Sequence, residues 1–165
     1  MTKSRIATCL WYDRDGEDAA QLYVSLIPNS RIDAVSRYED ALGIPSRLPA
    51  GTALVVEFTL DGVAFQALNG GPEFKQSEAA SIVVHCDDQA EIDRLWSALT
   101  ANGGAESMCG WLKDRYGVSW QIVPRMLSEG MLSGNKPAVA RMTHEMLQMR
   151  KLEIARLQAA FDGHA

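Results

Sequence analysis

The sequence predicts an α+β fold in which two paired βαβββ modules are followed by a C-terminal helical extension. One order of elements occurs twice: a strand, an acidic turn, a helix, and strands that end in a hairpin. The two copies superimpose at a shift of 73 positions, which places Leu22 and Tyr23 on Leu95 and Trp96. Since a repeated supersecondary unit seldom buries its apolar face alone, we expect one domain whose two sheets lie edge to edge around a shared cleft. Its parts are a first module at 1–72, a second module at 73–126 and a tail at 127–165.

The composition is that of a globular domain of 165 residues, with 47% hydrophobic and 22% charged side chains. The formal charge of −5 and the lack of a Lys/Arg cluster argue against nucleic acid and anionic membrane partners. No apolar run approaches the roughly 20 residues that a membrane helix needs, and the first six residues do not resemble a signal peptide. We therefore expect a cytoplasmic protein.

The cysteines are Cys9, Cys86 and Cys109, an odd number with no Cys-x-x-Cys spacing. All three fall in or at the end of predicted strands, and no histidine lies beside one in sequence to activate its thiol. We therefore expect the three cysteines to act as small buried hydrophobic residues rather than as catalytic thiols.

The elements of the first module are predicted from the alternation of apolar and polar residues and from the turn-forming residues between them. Its predicted elements are a strand at 6–12, a helix from about 17 to 27 with Glu17 and Asp18 in its first turn, a strand at 31–38, a looser segment with Gly43, Pro45, Pro49 and Gly51, and strands at 53–60 and 63–68 around Asp61-Gly62. Asn69-Gly70-Gly71-Pro72 ends this module.

The second module begins with a strand at 80–86, a break at Asp87-Asp88 that favours helix capping, and a helix over 89–101. A hairpin over Cys109–Pro124 closes it, with Lys113–Gly117 as a solvated turn. Pairing Leu112 with Val118 places Cys109, Trp111, Ser119 and Gln121 on one face. Met108, Leu112, Trp120 and Ile122 then form an apolar face that needs a helix on it.

The tail lacks a helix breaker after Pro137, so one helix is predicted from Asn135 to Phe161, with Asn135 as a possible cap. One face carries mostly apolar residues, interrupted by an expected Arg150–Glu153 pair: Val139, Met142, Met146, Met149, Leu157, Ala160 and Phe161. This helix either caps the core or docks a second subunit. Methionine suits adaptable contacts, which favours the second subunit.

Three motifs and the tail resemble a known family: Cys9-Leu10-Trp11-Tyr12, Leu68-Asn69-Gly70-Gly71-Pro72, the whole Cys109–Pro124 hairpin, and Met146–Ile154. The chain is similar to the PhnB-like family labelled 3-demethylubiquinone-9 3-methyltransferase. That family lies in the vicinal oxygen chelate superfamily, with glyoxalases, ring-cleaving dioxygenases and bleomycin-resistance proteins. The resemblance implies a glyoxalase/bleomycin-resistance-like fold and a cytoplasmic homodimer.

Metal-using members of that superfamily take His, Gln or Glu ligands from four strands. The resemblance carries those positions to Thr8, Gln66, Ser81 and Gln121, with the first strand uncertain by one residue. Thr and Ser are poor ligands without a carboxylate beside them. We therefore predict no metal and no other cofactor, and a divalent metal is the alternative.

The remaining hypothesis is a cleft that binds a small apolar or aromatic molecule, with aromatic walls and orienting amides. The candidate ligand-binding residues are Trp11, Tyr12, Phe65, Gln66, His85, Cys109, Trp111, Ser119 and Gln121. Two enzyme hypotheses stay open beside this binder: a divalent-metal glyoxalase or dioxygenase, and the methyltransferase of the family label. The methyltransferase is less favoured because Gly70-Gly71 and Gly103-Gly104 are turn glycines, neither in the order of a nucleotide-binding loop.

Overall fold

The computed structural model describes residues 5–38, 48–49 and 51–164. The chain divides into two compact units, Met1–Gln76 and Ser77–Ala165, each with one four-stranded sheet. Within the described residues, none of the helices is both long and apolar enough to cross a membrane. Gly43 and Pro45, in the segment predicted to be loose, lie outside the described residues.

The first unit has the predicted βαβββ order. Its elements are β1 (Thr8–Tyr12), α1 (Gly16–Leu26), β2 (Arg31–Arg37), β3 (Ala53–Leu60) and β4 (Val63–Asn69). The strands lie in the order β1-β4-β3-β2, with β1 parallel to β4 and the other neighbours antiparallel. Asp61 and Gly62 both have positive φ between β3 and β4, which confirms the hairpin predicted there.

A buried amide fixes the start of α1 against this sheet. Asn69 is 1% exposed, and its Oδ1 accepts a hydrogen bond from the backbone N–H of Gly16 at 2.8 Å while its Nδ2 donates to the Ala53 carbonyl at 2.9 Å. A Cβ on Gly16 would lie 2.8 Å from that same Oδ1, so the approach requires glycine. Asn69 is therefore a core residue as well as the end of the module.

The second unit repeats the order. Its elements are β5 (Ile82–Cys86), α2 (Gln89–Thr100), β6 (Ala105–Glu106), β7 (Trp111–Lys113) and β8 (Ser119–Pro124), with a 3-10 turn at Ala101–Gly103. The sheet order is β5-β8-β7-β6, the same as in the first unit. Asp88 Oδ1 accepts from the Glu91 N–H at 2.8 Å, which confirms Asp88 as the cap of α2.

The hairpin of β7 and β8 has a different register from the predicted one. Leu112 lies opposite Trp120, and Trp111 lies opposite Gln121, so the pairing is displaced by two residues. A displacement of two keeps every strand residue on its predicted face. Cys109 was predicted opposite Gln121 and is instead in a turn with φ of +59°.

The reason for this register is Asp114, which was predicted to be solvated and is 3% exposed. Its Oδ1 accepts hydrogen bonds from the N–H groups of Tyr116 at 2.9 Å and Val118 at 3.0 Å. Its Oδ2 accepts from Nε1 of Trp120 at 2.9 Å. The Asp114 carboxylate thus holds the turn by hydrogen bonds as far as Val118. Because Val118 belongs to the turn, Leu112 pairs with Trp120 instead.

The tail forms three helices, so the prediction of one helix from 135 to 161 is wrong. They are α3 (Arg125–Met131), α4 (Lys136–Met146) and α5 (Ile154–Asp162). The Asn135 side chain accepts from the Ala138 N–H at 3.3 Å, which confirms the predicted cap. The expected Arg150–Glu153 pair is replaced: Arg150 lies 4.0 Å from Glu106, and Glu153 pairs with Arg156 at 3.2 Å.

Hydrogen bonds to the rest of unit 2 explain the break between α4 and α5. The N–H groups of Cys109 and Gly110 donate to the carbonyls of Met149 and Arg150 at 2.7 and 2.8 Å. Gln89 Oε1 accepts from the Ile154 N–H at 2.9 Å, at the start of α5. The tail packs on its own unit around Leu127, Met142, Met149, Leu152 and Leu157.

The substitution Asp114→Asn tests the role of the turn carboxylate. We expect a loss of about 2–4 kcal/mol in the free energy of unfolding, because a charged acceptor of three hydrogen bonds is replaced by an amide in a buried position. Urea denaturation measures the loss. Asp87→Asn is the control, because Asp87 is 75% exposed in its ion pair with Arg125 and an exposed pair contributes at most about 1 kcal/mol. Equal small losses in both variants would show that Asp114 does not fix the turn.

Candidate functional site

In unit 2 the two faces of the sheet differ in what covers them. Leu112, Trp120 and Ile122 lie on the face that packs against α2 and are at most 2% exposed. The opposite face, which we call the distal face of unit 2, carries a mixture of polar and apolar side chains: Ser81, Val83, His85, Trp111, Lys113, Ser119, Gln121 and Val123. Five of the nine candidate residues named from the sequence are on this unit, as are two of the four carried-over ligand positions, Ser81 and Gln121. All of these residues except Cys109 are brought together on this face.

The middle of the distal face is a row of three neighbouring side chains. Gln121 lies opposite Val83 on one side and opposite Trp111 on the other. Val83 is 44% exposed, and Trp111 and Gln121 are half-buried. Neighbouring strands are about 4.8 Å apart, so the row is an amide held between an aliphatic group and an indole. This arrangement can hold a flat apolar molecule and orient it through one hydrogen bond.

One end of the distal face is polar. Gln121 Nε2 donates to Ser81 Oγ at 2.9 Å, and Oε1 of the same amide is a hydrogen-bond acceptor. Ser119 is 2% exposed, and its Oγ has no hydrogen-bond partner among the described residues. Lys113 next to Ser119 is paired with Glu78 at 2.5 Å, and this pair lowers the pKa of the Glu78 carboxyl. The charges of Lys113 and Glu78 at the polar end therefore compensate each other, whereas the Ser119 hydroxyl has no hydrogen-bond partner among the described residues.

Two further candidates of unit 2 lie beyond this row. His85 is exposed at the other end of the distal face, where its Nδ1 lies 3.2 Å from Ser128 Oγ of α3. Cys109 is half-buried in the turn before β7, with its backbone bonded to the tail. It is therefore outside the strand rows that form the face.

In unit 1 the side of the sheet opposite α1, the distal face of unit 1, carries Cys9, Trp11 and Gln66. Cys9 lies beside Gln66, whereas Thr8 lies beside Phe65 and shares the face toward α1. The residue of the first strand that shares a face with Gln66 is therefore Cys9 rather than Thr8. Glu57 lies beside Gln66 on the other side and was missed from the sequence, where alternation along β3 places it on the same face as Val55.

Tyr12 and Phe65 lie on the α1 side of the sheet rather than beside Trp11 and Gln66. Tyr12 is 4% exposed, with its hydroxyl 3.4 Å from that of Tyr23. Phe65 is 8% exposed and stacks on Phe58 with ring centroids 5.4 Å apart. Their contacts are those of core residues, and their role in binding stays a prediction.

Trp11 is enclosed by the segment that follows β4. Its Nε1 donates to the Gly71 carbonyl at 2.8 Å, and its ring meets Phe74 edge-on with centroids 4.9 Å apart. A Cβ on Gly70 would lie 2.3 Å from the Trp11 ring, so this position requires glycine. Packing on the indole therefore explains Gly70, and a φ of +100° explains Gly71.

The donor atoms do not fit a tight divalent metal site. Gln66 offers an amide, and partial desolvation raises the pKa of the neighbouring Cys9 thiol, which disfavours the thiolate that metals bind. Ser81 and Gln121 are hydrogen-bonded to each other. Residues 5–38, 48–49 and 51–164 contain no group of three His, Cys, Asp or Glu side chains placed to hold an ion.

The prediction that all three cysteines are buried is correct for Cys86 alone. Cys86 is fully buried, and desolvation raises the pKa of its thiol to about 12. Cys9 is exposed and Cys109 is half-buried. Cys86 therefore behaves as a small hydrophobic residue at neutral pH.

Residues 4–123 match the family model described as 3-demethylubiquinone-9 3-methyltransferase. The chain belongs to this family. It is 32% identical to the PhnB protein from Bacillus cereus, with a TM-score of 0.64 over 73% of this chain and 99% of that chain. It is 22% identical to protein PA1353 from Pseudomonas aeruginosa, with a TM-score of 0.56 over 72% and 95% of the two chains, which shows a shared fold. No curated protein matches this sequence.

Membership of the 3-demethylubiquinone-9 3-methyltransferase family and the similarity to PhnB confirm the predicted resemblance to the PhnB-like family. The matched residues end at Val123, so they include both sheets and exclude the three tail helices. The family motifs have structural explanations in this member: the Leu68–Pro72 motif holds Trp11 and the start of α1, and the hairpin motif contains the Asp114 turn.

The substitution Ser119→Ala tests whether the buried hydroxyl is unsatisfied. We expect the free energy of unfolding to stay unchanged or to rise by up to about 1 kcal/mol, because a buried hydroxyl without a partner is destabilising. Thr59→Val is the matched control: Thr59 is 7% exposed, and its hydroxyl donates to Asp33 at 2.6 Å. That variant should lose about 1–2 kcal/mol. Equal losses in urea denaturation would mean that Ser119 has a partner.

Proposed function

We propose that this protein binds a small apolar or aromatic molecule on the distal face of unit 2, without a metal ion. The observation that carries the proposal is the row of Val83, Gln121 and Trp111, in which an amide lies between an exposed aliphatic side chain and an indole. Concave or open apolar surfaces with a few placed polar groups are the usual form of small-molecule sites.

The polar groups on this face define what the molecule carries. Gln121 has its Nε2 engaged by Ser81, so its Oε1 accepts a hydrogen bond from the ligand. The Ser119 hydroxyl lies on the same face, two residues before Gln121, but it is buried beneath the surface that a ligand meets, so the polar contact is assigned to Gln121. A flat ring with one polar substituent satisfies both features: stacking on Trp111 and hydrogen bonding at Gln121.

Unit 1 offers a similar combination, and we propose that it contributes to the same function. Trp11 and Gln66 share the distal face of that unit, as Trp111 and Gln121 do in unit 2. The indole of Trp11 is already covered by Phe74 and Gly70, so in this unit we assign the ligand contact to Gln66. The role of Tyr12 and Phe65 in this proposal is to support the strands from the core.

The family description names methyl transfer, which is the less favoured function for this chain. A binding loop for S-adenosylmethionine needs glycines whose backbone is open to the cofactor. Gly70 packs on Trp11, and a Cβ on Gly104 would lie 2.4 Å from the Leu99 carbonyl oxygen. Both glycines are therefore explained by internal packing, which supports a binding function over methyl transfer.

A metal-dependent enzyme of the glyoxalase or dioxygenase type is the other alternative. It needs anionic or imidazole donors to offset the dehydration of a divalent ion. On the described distal faces the positions concerned carry Cys9, Gln66, Ser81 and Gln121. These four side chains are neutral, with Glu57 as the carboxylate beside Gln66, and neutral donors suit a neutral organic molecule better than a cation.

Binding of 1-naphthol, a flat aromatic with one hydroxyl, tests the proposal. We expect it to quench tryptophan fluorescence with a saturable isotherm, and Trp111→Leu and Gln121→Leu each to weaken binding about tenfold, which equals about 1.4 kcal/mol. Gln158→Leu, on the exposed side of α5, is the control and should bind as the wild type does. Calorimetry with S-adenosylmethionine and with Zn²⁺, Ni²⁺ and Mn²⁺ should show no binding below millimolar concentrations. Tight binding of either class, or no binding of 1-naphthol, contradicts the proposal.

We also propose that the protein is a homodimer, and that the corner between α3 and α4 takes part in the contact. Leu132 is 87% exposed, Leu147 is 53% exposed, and Met131 is 38% exposed. Thr143 donates to the Met131 sulfur at 3.8 Å, which places Met131 against α4, and Leu147 lies one helical turn beyond Thr143. Met131 and Leu147 therefore both lie near Thr143, Leu132 follows Met131 in the chain, and exposed apolar side chains of this kind are typical of interfaces.

Sedimentation equilibrium tests the dimer. The wild type is expected at twice the chain mass of 18.1 kDa, and Leu132→Glu is expected to shift the equilibrium toward the monomer because it introduces a charge into an apolar contact. Val63→Glu is the control, because Val63 is 56% exposed at the β3–β4 hairpin of the other unit. A wild-type monomer at all concentrations, or a Leu132→Glu dimer as strong as that of the wild type, would refute this assignment.

A further inference from the structure

Residues 71–76 follow the end of β4 and lie against Trp11 on the distal face of unit 1; we call this segment the strap. Trp11 contacts both ends of the strap, since its Nε1 donates to the Gly71 carbonyl at 2.8 Å and its own carbonyl accepts from Gln76 Nε2 at 2.6 Å. Between these two bonds, the Phe74 ring meets the indole with centroids 4.9 Å apart. One residue of the sheet therefore holds the strap at three points.

The strap has little burial to keep it in place. Phe74 is 66% exposed, and its neighbours Glu73 and Lys75 are exposed as well. Within residues 5–38, 48–49 and 51–164, the two bonds to Trp11 are the hydrogen bonds that join the strap to the sheet. Segments with few buried contacts open locally at a small free-energy cost, whereas the sheet beneath them stays folded.

We propose that the strap is a lid over an aromatic binding site, in which Phe74 occupies the indole of Trp11 until a flat aromatic molecule displaces it. This site belongs to unit 1, whereas the row of Val83, Gln121 and Trp111 belongs to unit 2. The inference rests on the proposed function in one respect, the aromatic class of the ligand. It adds a second place of binding and a competitor built into the chain.

The geometry of the ring contact favours displacement. The planes of Phe74 and Trp11 are inclined by 78°, so Phe74 touches the indole edge-on and covers it incompletely. A flat ligand that lies parallel to the indole removes more apolar surface from water than an edge-on contact does. Phe74 loses little burial when it moves away, because most of its surface is already in solvent. The exchange therefore favours a flat ligand over the Phe74 side chain.

The two glycines before the strap give the lid a fixed base and a hinge. The Gly70 N–H donates to the Tyr12 carbonyl at 3.0 Å, which continues the bonding between β1 and β4, and a Cβ on Gly70 would lie 2.3 Å from the Trp11 ring. Gly70 therefore stays with the sheet. Gly71 has a φ of +100°, and glycine changes its backbone conformation at low cost. The hinge is therefore placed at Gly71, and opening breaks its bond to the indole.

Hydrogen exchange of the indole N–H groups, followed in nitrogen–proton correlation spectra of the full chain, tests the lid without a ligand. Trp120 is the internal reference, because it is fully buried and its indole donates to Asp114. We expect the Trp11 indole to exchange at least about a hundredfold faster than that of Trp120. Phe74→Ala should accelerate exchange at Trp11 about threefold to tenfold, the worth of one aromatic pair, and leave Trp120 unchanged. Unchanged exchange at Trp11 in this variant contradicts the lid.

Titration with 1-naphthol locates binding by the same indole signals, assigned with Trp11→Phe and Trp111→Phe. We expect Phe74→Ala to lower the apparent dissociation constant at Trp11 about threefold to tenfold, because the closed strap competes with the ligand. Gln76→Ala removes the bond at the other end of the strap and should also tighten binding at Trp11. Neither variant should change the constant at Trp111. Lys75→Ala, at an exposed position of the same strap, is the matched control and should keep both wild-type constants.

The response at each indole separates this inference from the proposed function. Binding at Trp111, with no response at Trp11 in any variant, keeps the proposed function and overturns the lid. Binding at Trp11 that Phe74→Ala weakens or leaves unchanged also overturns it, since Phe74 is then no competitor. Tighter binding at Trp11 in Phe74→Ala and Gln76→Ala, with no response at Trp111, supports the lid and contradicts the proposed function. No binding at either indole contradicts both.

Discussion

The hydrogen bonds accepted by Asp114 decide which side chains of unit 2 face away from α2. Its carboxylate holds the N–H groups of the turn and the indole N–H of Trp120, which is fully buried on the α2 side. With Trp120 fixed on that side, alternation along β8 sends Ser119 and Gln121 to the distal face. A slip of one residue would exchange the two faces and bury the amide against α2. The candidate site therefore depends on one buried turn carboxylate.

Much of the fold follows from local patterns, and those parts were predicted correctly. The repeated order of elements predicted both βαβββ modules, because strand alternation and helix periodicity are properties of short segments. The face of each residue in β7 and β8 was also correct, since an error of two residues preserves alternation, whereas Cys109 was wrongly placed in the strand. The register was not predictable, because Asp114 stands between Lys113 and Arg115 and such a run is typical of a solvated turn. Its burial depends on Trp120, six residues further on.

The break in the C-terminal tail could not be predicted from local patterns. Its apolar spacing is continuous from Asn135 to Phe161, and residues 147–153 contain neither Gly nor Pro. The break comes instead from contacts distant in sequence, in which Gln89 of α2 receives the N–H that starts α5 and the turn before β7 binds the carbonyls of Met149 and Arg150. The helix propensities of residues 147–153 contain no information about such distant partners. The consequence for function is that the buried methionines serve the core of unit 2.

The charge balance of the distal face argues for a neutral ligand. Gln121 and Ser81 satisfy each other in part, Lys113 is paired with Glu78, and Asp87 is paired with Arg125. What these pairs leave for the proposed ligand is the amide oxygen of Gln121 beside the indole of Trp111, whereas the Ser119 hydroxyl is buried. A tight divalent site needs several anionic or imidazole donors to replace the water of the metal, and this face supplies only the exposed imidazole of His85. A neutral aromatic molecule costs less to dehydrate than an ion, and the amide can replace a hydrogen bond that the molecule gives up on leaving water.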